Sequence, residues 1–134
     1  MREIKFRGKS PCFNTWLYGD LVRAEGTPFI CEKGSMEMDG HHIRQFADRP
    51  QFVKEDTIGQ FTGFCDIDSK EIYEGDIIRC TLLDQKERIG VVTYHKGCFW
   101  FICNNGYSDE YLVNMCDKAV IGNIYDNSDL LNND

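Results

Sequence analysis

Hydrophobic and polar residues alternate with a period of two along much of this chain, a pattern that is typical of half-buried β-strands. The longest patterned stretch covers residues 57–79. Its apolar residues are interrupted by Gly59, Gly63 and Gly75. A polar loop occupies residues 66–70 in the middle of the stretch. Because glycines and polar clusters mark turns between strands, we interpret this stretch as strand, turn, short arm, turn and strand.

Shorter alternating runs predict the remaining strands. In chain order these are residues 3–9, 16–23, 28–31, 43–46, 51–53, 76–83, 89–95, 98–103 and 119–125. The pair Lys96-Gly97 predicts a two-residue hairpin loop, because glycine stands at its second place. Residues 108–115 fit either a short capped helical turn or a strand, and residues 128–131 predict one capped turn. The least patterned part, 24–52, is where we expect a mobile loop or a variable segment.

The predicted fold is mainly β, with little helix. Strands 76–83, 89–95 and 98–103 follow one another and are bent at glycines, which is typical of the middle of a small SH3-like β-barrel. We therefore predict an SH3-like barrel region at residues 57–134. Residues 1–56 form an N-terminal β region, a hairpin and sheet extension packed on the barrel. The two regions could equally form one continuous domain, since 134 residues is a single-domain length.

The net charge of −7 is distributed unevenly along the chain. Residues 1–56 contain nine Lys/Arg and nine Asp/Glu, whereas residues 57–134 contain six and thirteen. An acidic surface repels phosphate backbones, so the charge disfavours nucleic acid as a partner. Arg2, Lys5, Arg7 and Lys9 could contact phosphate, although basic side chains also commonly form the solvated face of an edge strand.

Nothing in the sequence predicts a membrane span, a disulfide framework or a bound metal. No run of eighteen apolar residues occurs, and the first residues alternate instead of forming a signal peptide, so we expect a cytoplasmic protein. The seven cysteines are an odd number and contain no C-x-x-C pair, which disfavours disulfides and zinc. The adjacent pair His41-His42 lacks a Glu or Cys at ligand spacing. In the 66–70 loop, Lys70 stands at a position that a calcium site needs for a ligand.

Two clusters raise the question of catalysis. The predicted hairpin loop places His95 opposite Cys98, an arrangement that could activate a thiol. A hairpin tip supplies no oxyanion donor and no third residue to orient the base, so we predict no catalytic site there. Glu71, Glu74 and Asp76 cluster near a glycine bend, where we interpret them as a solvated rim, because no pattern predicts a cleft. We therefore predict no enzyme, no cofactor and no metal site.

Trp16 and Tyr18 share one face of their predicted strand, where they either pack in the core or line a groove. A candidate interaction surface combines these aromatic residues with the basic N-terminal side chains and the acidic residues of the bend. Its members are Arg2, Lys5, Arg7, Trp16, Tyr18, Glu71, Glu74 and Asp76.

Three sequence blocks together resemble the YopX family of small phage and prophage proteins. The first is Met1-Arg-Glu-Ile-Lys-Phe-Arg7 with Trp16-Leu-Tyr-Gly-Asp20. The central block covers 57–79, notably Gln60-Phe-Thr-Gly63 and Lys70-Glu-Ile-Tyr-Glu-Gly-Asp-Ile77. The last is Val120-Ile-Gly-Asn-Ile-Tyr125 before Leu130-Leu131. The blocks occur in order over nearly the whole chain, with residues 24–52 not covered.

The resemblance implies a β-rich fold with an SH3-like barrel, an origin in temperate phages or integrated elements, and no established activity or catalytic motif. One local departure affects the arm of the central block. Where relatives tend to read Leu-Lys-Asp-Lys-Asn-Gly-Lys, this chain reads Phe64-Cys-Asp-Ile-Asp-Ser-Lys70. The turn glycine is replaced by serine, which leaves the shape of the loop open.

We therefore expect a phage- or prophage-encoded, non-enzymatic module that binds a host or phage protein, because SH3-like barrels recur as interaction platforms. The acidic C-terminal half favours a basic partner, and mimicry of nucleic-acid charge is a narrower version of this hypothesis. The alternative is a nucleic-acid-associated module that uses the basic N-terminal strand with Phe6, Trp16 and Tyr18. An enzyme acting through His95 and Cys98 is a third hypothesis. Exposed strand edges also leave a homo-oligomer open.

Overall fold

The computed structural model describes residues 3–32, 36–39, 42–45, 50–81, 84–103 and 109–132, with the backbone alone for 36–39, 42–45 and 132. The chain divides into two compact units, Met1–Gln60 (unit 1) and Phe61–Asp134 (unit 2). The described residues form thirteen β-strands and three short 3-10 helices, with no α-helix among them. The predicted mainly β class is confirmed. Within the described residues, no helix is long and apolar enough to cross a lipid bilayer.

The strands of unit 1 are antiparallel. Their bounds are β1 (Phe6–Lys9), β2 (Trp16–Ala24), β3 (Thr27–Cys31), β4 (Met36–Asp39), β5 (His42–Gln45), β6 (Gln51–Phe52) and the beginning of β7 (Gly59–Cys65), with a 3-10 helix at Glu55–Thr57. The order in the sheet is β6-β3-β2-β1, followed by the first residues of β7, whereas β4 and β5 pair with each other. The first two strands form the hairpin that the sequence predicts, with Lys9 opposite Trp16.

The core of unit 1 lies on one face of this sheet. Leu17, Ile30 and Val53 are buried together there, and Phe6, Leu21 and Ile58 pack against them. A Cβ atom at Gly8 would lie 2.8 Å from the side chain of Val53, so glycine permits this close packing. The alternation of side chains along each strand leaves the opposite face of the sheet outside this core.

Unit 2 contains a five-stranded antiparallel sheet. The remaining strands are β8 (Glu71–Tyr73), β9 (Asp76–Thr81), β10 (Glu87–His95), β11 (Cys98–Cys103), β12 (Glu110–Tyr111) and β13 (Cys116–Asn123). The five-stranded order is β12-β11-β10-β9-β13, and β8 pairs with β7. For residues 108–115 the sequence predicted either a helical turn or a strand. The described part of this segment, 109–115, contains both, because the short strand β12 is followed by the 3-10 helix Leu112–Asn114. A final 3-10 helix, Ser128–Asn132, lies where one capped turn was predicted.

The core of unit 2 covers one face of this sheet. Its buried members are Ile72, Ile78, Cys80, Val92, Phe101, Cys103, Leu112 and Met115. Among the described strands the sheets are open, since no pairing joins β12 to β13 to close a ring. The SH3-like barrel therefore stays a prediction.

The stretch 57–79 has the predicted course of strand, turn, short arm, turn and strand. Strand β7 leads into the loop at residues 66–70, β8 follows, and a turn at Glu74-Gly75 leads into β9. Gly75 has a φ of 93°, a left-handed conformation that glycine adopts without steric cost. The N–H of Gly75 donates to the carbonyl of Val92, and its carbonyl accepts from the N–H of Ile124, so the turn is fixed on both sides.

Candidate functional site

The two faces of the unit 2 sheet differ in what they carry. In the β10–β11 hairpin, Val92 stands opposite Phe101 and both belong to the core. The neighbouring pair, Thr93 opposite Trp100, therefore points to the other face. Trp100 in turn stands opposite Tyr111 on β12. The sequence thus places aromatic side chains on the face opposite the Val92–Phe101 pair, a face on which Ile77 of β9 is also buried.

Three rings contact one another in a row along this second face, and we call them the aromatic ladder: His95, Trp100 and Tyr111. The centroids of the His95 and Trp100 rings lie 4.9 Å apart, and those of Trp100 and Tyr111 lie 4.5 Å apart in a stacked arrangement. The indole N–H of Trp100 donates a 2.8 Å hydrogen bond to the carbonyl oxygen of His95. The ring contacts and this hydrogen bond fix the orientations of the rings. The side chains of the ladder would therefore lose little conformational entropy when a ligand binds to them.

Solvent reaches the ladder from its Tyr111 end. Tyr111 is 48 % exposed, whereas Trp100 and His95 are half-buried. Asp109 lies two residues before Tyr111, whereas Glu110 stands opposite the core residue Phe101 and so points to the core face. Lys96 lies at the other end of the ladder, in the turn beside His95.

The electrostatics of unit 2 favour cations. Residues 61–134 contain six Lys/Arg and thirteen Asp/Glu, so this unit carries the whole net charge of −7, and residues 1–60 contain nine of each. The faces of tryptophan and tyrosine rings attract cations through their quadrupole. An aromatic ladder in an acidic unit is suited to the guanidinium or ammonium group of a basic partner.

The predicted opposition of His95 and Cys98 is confirmed by the strand register. Lys96 and Gly97 both have positive φ values, 49° and 80°, which defines the tight two-residue hairpin turn. The His95 ring packs on Trp100, and its Nε2 atom is shielded from solvent with no hydrogen-bond partner among the described residues. The ring of His95 is thus part of the aromatic ladder, in contact with Trp100.

The basic members of the predicted interaction surface lie in unit 1, apart from Arg2, which is outside the described residues. Lys5 forms an ion pair of 2.8 Å with Glu3. Arg7 lies opposite Tyr18, which is exposed, and its guanidinium carbon is 4.7 Å from the centre of the Trp16 ring.

The prediction that Arg7 belongs to an exposed surface is wrong, because only 5 % of the residue is accessible. Its guanidinium packs on the face of Trp16, a contact that the alternation of residues does not reveal. The Nζ atom of Lys9 also lies over this ring, 5.7 Å from its centre. Arg7, Lys9, Trp16 and Tyr18 are thus brought together on one face of the β1–β2 hairpin.

The acidic members of the predicted surface lie in unit 2, around the turn before β9. Glu71 accepts a 3.1 Å hydrogen bond from the hydroxyl of Tyr73, and Glu74 is half-buried. Asp76 is only 2 % exposed, so its interpretation as part of a solvated rim is wrong. Its Oδ2 accepts a 2.8 Å hydrogen bond from the backbone N–H of Tyr73, which closes the turn.

The loop at residues 66–70 is held by hydrogen bonds within the protein. Asp66 Oδ1 accepts from the N–H groups of Asp68 and Lys70, both at 2.8 Å. Its Oδ2 accepts from the N–H of Val120 at 3.0 Å. Within the described residues, no group of three or more His, Cys, Asp or Glu side chains is arranged to hold a metal ion. Of the predicted His41-His42 pair, His41 and the side chain of His42 lie outside the described part of the chain.

Sequence reasoning missed the central part of the ladder. Trp100 was assigned only to a strand, and Tyr111 fell in a segment that fitted either a helical turn or a strand. Alternation does place His95 and Trp100 on one face, once the Lys96-Gly97 turn is accepted. The approach of Tyr111 depends on the pairing of β12 with β11, which no local pattern specifies.

Comparison with known proteins agrees with this architecture. The strands define a mainly β protein built from two compact units. The chain belongs to the YopX protein family, since the family's sequence profile matches residues 5–132, and the resemblance drawn from the three sequence blocks is confirmed. The crystal structure of protein EF1440 from Enterococcus faecalis is similar in fold, with a TM-score of 0.64 and 20% sequence identity over 98% of this chain and 99% of that one. No curated protein matches the sequence.

Proposed function

We propose that this chain is a phage- or prophage-encoded cytoplasmic protein and a non-enzymatic protein-binding module. Its binding surface is the aromatic ladder of unit 2, and its partner is a host or phage protein that presents basic side chains. The observation that carries the proposal is the contact of the His95, Trp100 and Tyr111 rings on the sheet face opposite the Val92–Phe101 pair.

The chemistry of the ladder supports a binding role. Tyrosine and tryptophan are enriched at protein interfaces, because they bury a large area with few rotatable bonds. Tyr111 offers an exposed ring whose orientation is already fixed by Trp100. An arginine or lysine side chain that packs on this ring gains a cation–π interaction together with the attraction of the acidic unit.

We also propose that the strands of unit 2 form an SH3-like barrel. Three features support this topology. Strands β9, β10 and β11 form a consecutive antiparallel meander, and the 3-10 helix Leu112–Asn114 precedes the last strand. Strand β13 then returns to pair with β9, with register shifts that bend it. Barrels of this kind recur as interaction platforms, which agrees with a binding role by analogy of fold.

The alternative function, binding of nucleic acid by the N-terminal strand, has one observation in its favour. Lys9 and Trp16 lie beside the exposed Tyr18, so a cation and two aromatic rings share one face of unit 1. Against it, Arg7 is buried and Lys5 is paired with Glu3, which reduces the charge offered to phosphate. Nucleic-acid affinity depends mainly on phosphate neutralisation, so the geometry favours the protein-binding role.

Affinity capture tests the choice between the two functions. The tagged full chain is incubated with bacterial lysate at low and at high salt, with and without nuclease. We expect a stoichiometric protein partner that survives nuclease and is released at high salt. Tyr111→Ser should lose this partner, whereas Tyr94→Ser should keep it.

Tyr94 is a matched control for Tyr111. It is 50 % exposed and stands opposite Phe99, on the sheet face that carries the core. Capture of nucleic acid, or of partners that disappear after nuclease treatment, would support the alternative function. Equal capture by wild type and Tyr111→Ser would contradict a binding role for the ladder.

A further inference from the structure

The sheet of unit 1 also has an aromatic face, opposite its own core. Val22 on β2 stands opposite Phe29 on β3, and Phe29 stands opposite Phe52 on β6. The Phe29 and Phe52 rings meet edge to face, with centroids 6.2 Å apart. Val22 and Phe52 are 42% and 45% exposed, so this apolar row is open to solvent in the described structure. Neighbouring exposed apolar side chains of this kind commonly mark an interaction site.

Lys9 and Asp20 lie on the same face, on opposite sides of Tyr18 along the strands. Directly opposed residues share a face, so Lys9 and Trp16 form one row across β1 and β2, and Arg7 and Tyr18 form the next. Asp20 follows on the other side of Tyr18, opposite Cys31. Trp16 and Asp20 are each two residues from Tyr18, about 6.6 Å along the strand. A cation thus lies on one side of Tyr18 and a carboxylate lies at the same spacing on the other.

We propose that a second copy of this chain covers this face, in a two-fold contact centred on Tyr18. A two-fold axis at Tyr18 brings Asp20 of each copy against the Lys9–Trp16 row of its partner, so opposite charges meet twice. The same operation directs the turn that precedes β2, with its exposed Phe13, towards the apolar row of the other copy. Asp20 is therefore complementary to the Lys9–Trp16 row of the other copy, and the apolar row is complementary to the turn that carries Phe13.

The charge distribution explains why a second copy would bind at unit 1. Residues 1–60 carry equal numbers of basic and acidic residues, whereas residues 61–134 carry a net charge of −7. Two acidic units repel each other, and two neutral units do not. The proposed contact does not use the aromatic ladder of unit 2, so it is independent of the proposed binding function.

Sedimentation velocity over a series of protein concentrations tests the proposal on the full chain. We expect a monomer–dimer equilibrium whose dissociation constant rises at least about tenfold in Phe52→Glu, because a charge would enter an apolar contact. Tyr94→Ser in unit 2 should associate like wild type. Circular dichroism shows whether each variant is folded, and Val22→Lys provides a second substitution in the apolar row.

A charge exchange tests the symmetry of the contact. Asp20→Lys and Lys9→Glu should each weaken the dimer, and the double variant should restore it, because opposite charges then meet again with their signs reversed. Wild type that stays monomeric at all concentrations would overturn the proposal. A dimer that Phe52→Glu and Asp20→Lys leave unchanged, or a double variant that is not rescued, would overturn it as well.

Discussion

The carboxylate of Asp66 accepts a hydrogen bond from the backbone N–H of Val120, with 3.0 Å between Oδ2 and the nitrogen. Next to this contact, the N–H of Ile67 donates to the carbonyl of Lys118 at 2.8 Å. These two hydrogen bonds fasten the loop at residues 66–70 to β13. One aspartate therefore organises both the turn of its own loop and the attachment of that loop to the last strand.

The first prediction concerns the stability contribution of Asp66. Burial tends to raise the pKa of this carboxyl group, but hydrogen bonds from the N–H groups of Val120, Lys70 and Asp68 outweigh burial and hold the pKa below its usual range. Asp66→Asn replaces an acceptor oxygen by a donor, and should lower the free energy of unfolding by about 1–2 kcal/mol at neutral pH. The exposed Asp68, substituted in the same way, should change it little.

The pH dependence of this effect has a definite sign. A carboxyl group whose pKa is lower in the folded state stabilises the fold fully above its unfolded pKa of about 3.9, and this stabilisation is lost as the pH falls through the folded value. The stability difference between wild type and Asp66→Asn should therefore shrink on acidification below about pH 4. Urea unfolding at several pH values measures it, and a difference that stays constant with pH would contradict the assignment.

The second prediction concerns Ser69, which stands where the family resemblance implies a turn glycine. Ser69 has a φ of 65°, so the serine adopts the left-handed conformation that favours glycine. Ser69→Gly should therefore raise the free energy of unfolding, by about 0.5–1 kcal/mol. Asp68→Gly is the matched control. Asp68 does not have a positive φ, so glycine relieves no strain there and should lower the free energy of unfolding through its greater backbone freedom in the unfolded chain. Equal losses in both variants would show that Ser69 is not strained.

The third prediction concerns the buried carboxylate of Asp76. Asp76→Ala removes the acceptor for the backbone N–H of Tyr73 and leaves that donor without its partner in the turn. We expect a loss of about 1–3 kcal/mol in the free energy of unfolding. Asp129→Ala, at an exposed position in the same unit, should stay within about 0.5 kcal/mol of wild type in urea unfolding. Similar effects of the two substitutions would contradict the role given to Asp76.

The fourth prediction concerns thiol reactivity. Burial, reinforced by the neighbouring Cys103 thiol, raises the pKa of Cys80 to about 12. In the native protein at about pH 8, Cys80 should resist iodoacetamide, because the thiolate is the reactive form. The exposed Cys12, Cys65 and Cys116 should react. Peptide mass spectrometry measures the labelling of each site, and labelling of Cys80 as fast as that of Cys65 would contradict its burial.

Much of the architecture follows from local patterns in the sequence. Alternation predicts the strands, and the Lys96-Gly97 turn alone fixes the register that places His95 opposite Cys98. Of the glycines that interrupt 57–79, Gly75 lies in the predicted turn and has a positive φ, whereas Gly59 and Gly63 lie inside β7. These features depend on neighbours in the chain, so the sequence contains enough information to predict them.

The sites were harder to predict because burial and stacking depend on distant residues. Alternation places Arg7 on a polar face, but it cannot show that Trp16 covers it. The same limit applies to Asp76, which looked like one of several surface carboxylates and is enclosed in the turn before β9. Tyr111 reaches Trp100 only because β12 pairs with β11. Such contacts become visible only when the strands are assembled.

The binding of a basic peptide to the aromatic ladder is the central claim, and isothermal titration with an oligo-arginine peptide tests it most directly. We expect wild type and Tyr94→Ser to bind with equal affinity at low salt, and an oligo-glutamate peptide not to bind. Tyr111→Ser should bind about tenfold more weakly, because it loses a cation–π contact. Equal affinity of wild type and Tyr111→Ser, or no binding of oligo-arginine by wild type, would contradict the claim.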